Sequence, residues 1–162
     1  MAARALLALA ALAACGGAQR PPTASPLEPV VLDRLDGGNL DLSDLVGRPV
    51  VLFFFTTYSG PAQAIAPFVS QVAIRHARDV AFVGVALEPG NAPIVQAWRD
   101  FLDPPFPVLI ADEDLVAGRS ALGTIPAVPA FAFIAANGAV VGWDVRLLRE
   151  SELERIVRRL LE

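Results

Sequence analysis

Val50 to Phe55 reads VVLFFF, an apolar run with no polar interruption, bounded by Pro49 and Thr56. A strand with one face in water alternates apolar and polar residues, so this run predicts a central strand covered on both faces. Val80 to Leu87 repeats the signal. Helices must supply the cover. Gly60-Pro61 opens a helix expected to reach about Arg78, with proline at its first turn and Pro67 as an internal kink. Asn91 is placed to cap a second helix from Ala92 to about Leu102, ahead of a Pro-rich turn and a strand over Pro107–Ile110. Asp112 to Leu122 reads as a short third helix. A hairpin follows, Phe131–Ala135 and Ala139–Val145 about an Ala136-Asn137-Gly138 turn. Glu150 to Leu161 closes the chain as an amphipathic helix with Leu153, Ile156, Val157, Leu160 and Leu161 on one side. Its Glu154 and Arg158 have i,i+4 spacing and are expected to form only a solvated surface pair. Upstream, Pro29–Leu35 and Leu40–Leu42 make short strands around the Asp36–Asn39 turn, and Ser43 is expected to cap a single turn ending at Gly47. This alternation implies an α/β sandwich with a mixed sheet.

The N-terminus follows other rules. Arg4 precedes Ala5–Ala14, a stretch of Ala and Leu. As a helix it covers about 15 Å, half of a bilayer core, so it reads as the hydrophobic region of a signal peptide. Leu12-Ala13-Ala14-Cys15 resembles the bacterial lipobox. That resemblance implies cleavage before Cys15 and its lipidation, and several acyl chains together hold a protein firmly to a membrane. The same resemblance implies, from Gly16 standing after the cysteine where enteric lipoproteins of the inner membrane carry Asp, the outer membrane of a bacterial envelope over the inner. The expected organisation is a signal peptide over 1–14, a lipidated Cys15 with a Gly/Pro/Ser/Ala/Thr tether over 15–27, and one folded domain over 28–162.

Composition excludes several classes of function. There are 13 basic and 17 acidic residues for a net charge of −4. Every basic residue is Arg, and they form no stripe, so no nucleic-acid partner is expected. One cysteine and one histidine exclude an internal disulfide and a Cys/His zinc cage. His76 lies about 25 Å along the helix from Ser59, too far for a Ser-His-Asp arrangement. Asp112-Glu113-Asp114 is read as complementing a helix dipole in preference to holding a cation. Trp98 and Trp143 are taken as packing residues. No metal or cofactor is expected.

The stretch Val50-Val51-Leu52-Phe53-Phe54-Phe55-Thr56-Thr57-Tyr58-Ser59-Gly60-Pro61-Ala62 resembles the active-site strand and turn of thioredoxin-like proteins of the TlpA/ResA type, which read approximately VVLNFWATWCGPC. Leu35-Asp36-Gly37 and Leu42–Pro49 resemble that family's LDG and LSDLKGKV segments, and Pro67 stands where the family has its kinking proline. Ile125–Phe131 resembles its VxGVPTTF segment, and Asn137-Gly138 its DG hairpin. The resemblance implies a thioredoxin-like three-layer sandwich, with helices on both faces of a mixed sheet, and a cis bond before Pro129.

At the chemistry the sequence departs from the family. Ser59 and Ala62 stand at the two cysteine positions, giving SGPA for CGPC. Thiol–disulfide exchange needs a thiolate and a second thiol to resolve the mixed disulfide, and neither residue supplies one. Phe53 and Ile65 also stand where relatives carry polar residues that serve the thiols. A peroxiredoxin reading fails for want of its cysteine. No catalytic residue is therefore expected. The resemblance leaves a binding surface of Tyr58, Ser59, Val128 and Pro129, where the residue before the cis-proline pairs with an extended peptide. The expected function is a membrane-tethered, redox-inactive protein binding an envelope protein or peptide. Two readings stay open: an enzyme of the cell envelope in which Ser59 or Tyr58 stabilises an exogenous thiol, as in glutathione transferases, and a structural domain of an envelope complex.

Overall fold

The computed structural model describes residues 25–162. The expected signal peptide, Cys15 and most of the expected tether lie outside the described residues. An antiparallel pair comes first, β1 (Val31–Arg34) and β2 (Asn39–Asp41), joined through Gly37 and Gly38 at φ of 98° and 74°, a region that side chains disfavour. A 3-10 turn over Leu42–Leu45 leads to β3 (Val50–Phe55), α1 (Gly60–Arg75), β4 (Ala81–Ala86), α2 (Ala92–Leu102) and β5 (Val108–Ile110). The single-turn α3 (Glu113–Val116), β6 (Ala130–Ile134), β7 (Val140–Asp144) and α4 (Glu150–Leu160) complete the chain. The sheet order is β2-β1-β5-β4-β3-β6-β7, with β3, β4 and β5 parallel and the remaining pairs antiparallel.

The steps from β3 to β4 and from β4 to β5 go the same way across the sheet. Right-handed crossovers therefore put α1 and α2 on one face. There Val51, Phe53 and Phe55 meet Ile65, Val69 and Val72 of α1, Val95 and Trp98 of α2, and Leu153 and Val157 of α4. On the other face Val50, Leu52 and Phe54 pack with Val30, Leu42, Leu115 and Leu122. Both faces of β3 are thus covered, and all of its residues are buried. Full burial of each such side chain contributes up to about 3 kcal/mol. Rings interlock within the first layer: Phe53 stacks on Phe131 at 5.3 Å and Phe55 on Trp98 at 4.0 Å between centroids. No helix among the described residues is long and apolar enough to cross a membrane.

Several local expectations are corrected. The 3-10 turn is capped by Asp41, whose Oδ1 accepts from Ser43 N at 2.9 Å; Ser43 already lies inside the turn. Asn91 makes no capping bond, because its backbone (φ −101°, ψ 27°) is not extended. α1 ends at Arg75, short of Arg78, because the His76 carbonyl accepts from Asp79 and Val80 N–H and turns the chain into β4. The helix expected over 112–122 stops at Val116: Gly118 takes φ of 72°, and a Cβ there would lie 2.6 Å from Thr124 Oγ1. The chain also joins the fold ahead of Glu28, since Pro26 bridges to Ala139 and Leu27 N donates to Gly138 O at 2.8 Å.

Candidate functional site

The loop Thr56–Ser59 carries the chain from β3 into α1. Ser59 has extended backbone and its Oγ accepts from Ala62 N at 3.3 Å, while Pro61 occupies the first turn, where no backbone donor is needed. Ser59 N donates to Thr56 O at 3.1 Å, and the Gln63 amide donates to Thr57 O. Tyr58 projects outward and is 79% exposed. Ala62 is fully buried in the same apolar cluster as Phe53 and Ile65.

A carboxylate braces this loop from below. Glu88 follows β4 and is only 6% exposed, accepting from both the N–H and the hydroxyl of Thr57, the latter at 2.9 Å. Asn91 approaches it from the start of α2 at 3.5 Å. The sequence reading missed Glu88, and a lone acidic residue after a strand gives no periodic signal. The nearby Thr56 hydroxyl is buried and has no hydrogen-bond partner.

The second half of the site arrives through strand pairing. β6 runs antiparallel to β3 with Ala130 opposite Phe54, which sets Pro129 beside the end of β3 and hence beside the Thr56–Ser59 loop. The Val128–Pro129 bond is cis. Pro129 is buried, and Val128 is half-buried against the cluster of Phe54 and Ala130. Among the described residues, no hydrogen bond engages the N–H or C=O of Val128. Tyr58, Ser59, Val128 and Pro129 therefore sit at one end of the sheet.

The remaining candidates lie elsewhere. His76 follows the last residue of α1, about 25 Å from Ser59 along the helix, and its Nε2 meets Glu154 Oε1 at 2.9 Å. Glu154 is more than half of a surface pair: besides Arg158 at 3.0 Å it takes Arg75 at 3.2 Å, and its side chain is largely shielded between α1 and α4. Burial raises its carboxyl pKa, but the hydrogen bonds from His76, Arg158 and Arg75 outweigh that and hold it at about 2. Asp112 caps α3 by accepting from Leu115 N at 2.8 Å, and Asp114 pairs with Arg119 at 2.6 Å. Trp98 is a packing residue, 7% exposed. Trp143 is not wholly one: it stacks on Phe54 yet remains 39% exposed.

Comparison with known proteins agrees with this geometry. A thiol:disulfide interchange protein of the thioredoxin family from Chlorobium tepidum TLS is 26% identical at a TM-score of 0.74, covering 86% of this chain and 97% of that one. The structure of MTB dsbF in its mixed oxidised and reduced forms is 32% identical at 0.71, covering 81% and 94%. A secreted Mycobacterium tuberculosis disulfide oxidoreductase homologous to E. coli DsbE is 27% identical at 0.69, covering 80% and 95%. No curated protein sequence matches. The fold is thus that of the thioredoxins, and the Redoxin family model matches residues 19–156. The chain belongs to the Redoxin family.

Proposed function

We propose that this Redoxin-family protein binds an extended polypeptide at the Val128–Pro129 surface and carries out no thiol–disulfide exchange. The observation that carries the reading is the unpaired backbone of Val128, beside a helix start that holds Ser59 and Ala62 and no thiol. A buried or half-buried peptide group without a partner is costly. A segment lying alongside in strand fashion accepts from the Val128 N–H and donates to its C=O, while exposed Tyr58 flanks it. The resemblance of residues 12–15 to a lipobox supports a lipid-anchored location in a bacterial envelope, with Gly16 favouring the outer membrane. The thiol-holding enzyme is the weaker alternative, because the Ser59 oxygen already caps α1.

Two measurements test the reading. Wild-type protein should not accelerate insulin reduction above the rate of the added reductant alone, whereas the Ser59→Cys/Ala62→Cys variant should form a disulfide. Saturation with a blocked, extended peptide should slow amide exchange at Val128. Reductase activity of the wild type, or exchange at Val128 indifferent to peptide, would overturn it.

A further inference from the structure

We infer that Trp143 is a specificity-determining binding residue, forming a shelf for a large apolar side chain of an uncharged partner segment. The inference rests on the peptide-binding reading above and names the chemistry of that partner. Trp143 belongs to the edge strand β7 and lies opposite Ala132 of β6. Ala130 and Ala132 share that face of the sheet and are small enough for the indole to reach across β6. Its ring stacks on Phe54 of β3 at 5.7 Å between centroids and 18° between planes. Phe54 is in turn opposite Ala130, the residue after Pro129, and Val128 packs into the same cluster. Trp143, Phe54 and Val128 therefore follow one another along a single face at the site's end of the sheet. Phe54 is wholly buried, so Trp143, 39% exposed, is the open ring of this stack on the face that Val128 shares.

Charge distribution fixes what lies there. No residue between Arg48 and Arg75 is charged, and none between Arg119 and Asp144. These two stretches contain the whole of β3, the Thr56–Ser59 loop, Val128–Pro129, β6 and Trp143. The first charge beyond Trp143, Asp144, is already neutralised by Arg146 at 2.9 Å. Glu88 beneath the loop is buried and engaged by Thr57, so a charged residue brought against this surface loses hydration and meets no free counter-ion, whereas an apolar one gains by burial. Aromatic residues with one face supported and one open are common anchors of such contacts.

The test uses the full chain and a blocked peptide of alternating Phe and Gln, with counterparts carrying Lys or Glu in place of Phe. The Phe peptide should shield Trp143 from acrylamide quenching while buried Trp98 reports little change. Its affinity should be insensitive to salt up to about 0.5 M. Trp143→Ala should weaken it about tenfold, with Trp143→Phe restoring most of the loss. Trp143→Leu keeps an apolar cover on Phe54, so its loss of affinity with an unchanged circular dichroism spectrum separates recognition from folding. Val128 protected by peptide but affinity unmoved in Trp143→Leu and Trp143→Ala overturns this inference alone. Equal or tighter binding of the Lys or Glu peptide overturns the uncharged class of partner. No protection at Val128 overturns the peptide-binding function itself, and this inference with it.

Discussion

The two ends of α1 are built on opposite principles. At its C-terminal end Arg75 and His76 reach Glu150 and Glu154 of α4, and Arg158 joins them, so that each charge has a partner. At its N-terminal end there are no charges on the helix surface, Tyr58 stands in solvent, the Thr56 hydroxyl is unpartnered, and the adjoining Val128 backbone is unpaired. One end docks the helix to the rest of the molecule. The other leaves the Val128 backbone unpaired and Tyr58 exposed, with the Thr56 hydroxyl buried beneath them. The groups at the C-terminal end are paired with one another, and those at the N-terminal end are where the proposed recognition would act.

Acid should separate the ends most. A carboxyl held at about 2 stabilises the fold above its ordinary unfolded value, and that contribution is lost as pH falls through the window from about 4.5 towards 2. Denaturant unfolding should therefore show about 2–3 kcal/mol shed across that window. Glu154→Gln should remove most of the slope; a slope that survives would assign it to other carboxylates. Asp36 is also held below the usual carboxylate range by Arg34, Asp100 by Gln96 and Arg99, and Glu152 by the Arg149 N–H and Arg146, but these surface contacts contribute little.

Glu88 is the exception at the N-terminal end, and it tests whether the loop is braced at one point. Glu88→Ala leaves the Thr57 N–H and hydroxyl without their acceptor and should cost about 1–3 kcal/mol, with faster exchange at the Thr57 amide. Glu88→Gln, which keeps an acceptor oxygen, should cost less. His76→Ala removes one of three partners of Glu154 and should cost about 1 kcal/mol by the same measurement, leaving peptide affinity unchanged. Ser59→Ala should have the smallest effect, about 0.5–1 kcal/mol, since its capping bond is long at 3.3 Å. A larger loss there would show that the serine does more than cap.

The contrast also explains what the sequence could disclose. β3 and β4 were legible because burial on both faces demands an unbroken apolar run, and α1 because Ser59 and Pro61 punctuate its start. Tyr58, Ser59, Val128 and Pro129 were grouped by the resemblance of their segments to a known family, and the pairing of β6 with β3 sets them at one end of the sheet. α3 was overestimated, because the close approach of Gly118 to Thr124 is a tertiary fact. Glu88 meets Thr57 across 31 positions, and His76 meets Glu154 across 78, with no local pattern to announce either pair. Trp143 looked like core for a similar reason: its exposure depends on how far β7 lies from cover, which hydropathy does not encode.

The bridge from Pro26 to Ala139 and the bond from Leu27 to Gly138 have a mechanical consequence. β6 begins beside the Ser59 loop and runs away from it, so the β6–β7 turn lies at the other end of the sheet. A pull on the leading chain is borne first by that turn. The load must open the Leu27–Gly138 contact and then strip Val30 from its packing before it peels β1 from the sheet. A pull transmitted through Ser25 therefore enters the molecule at the end of the sheet opposite Tyr58 and Val128.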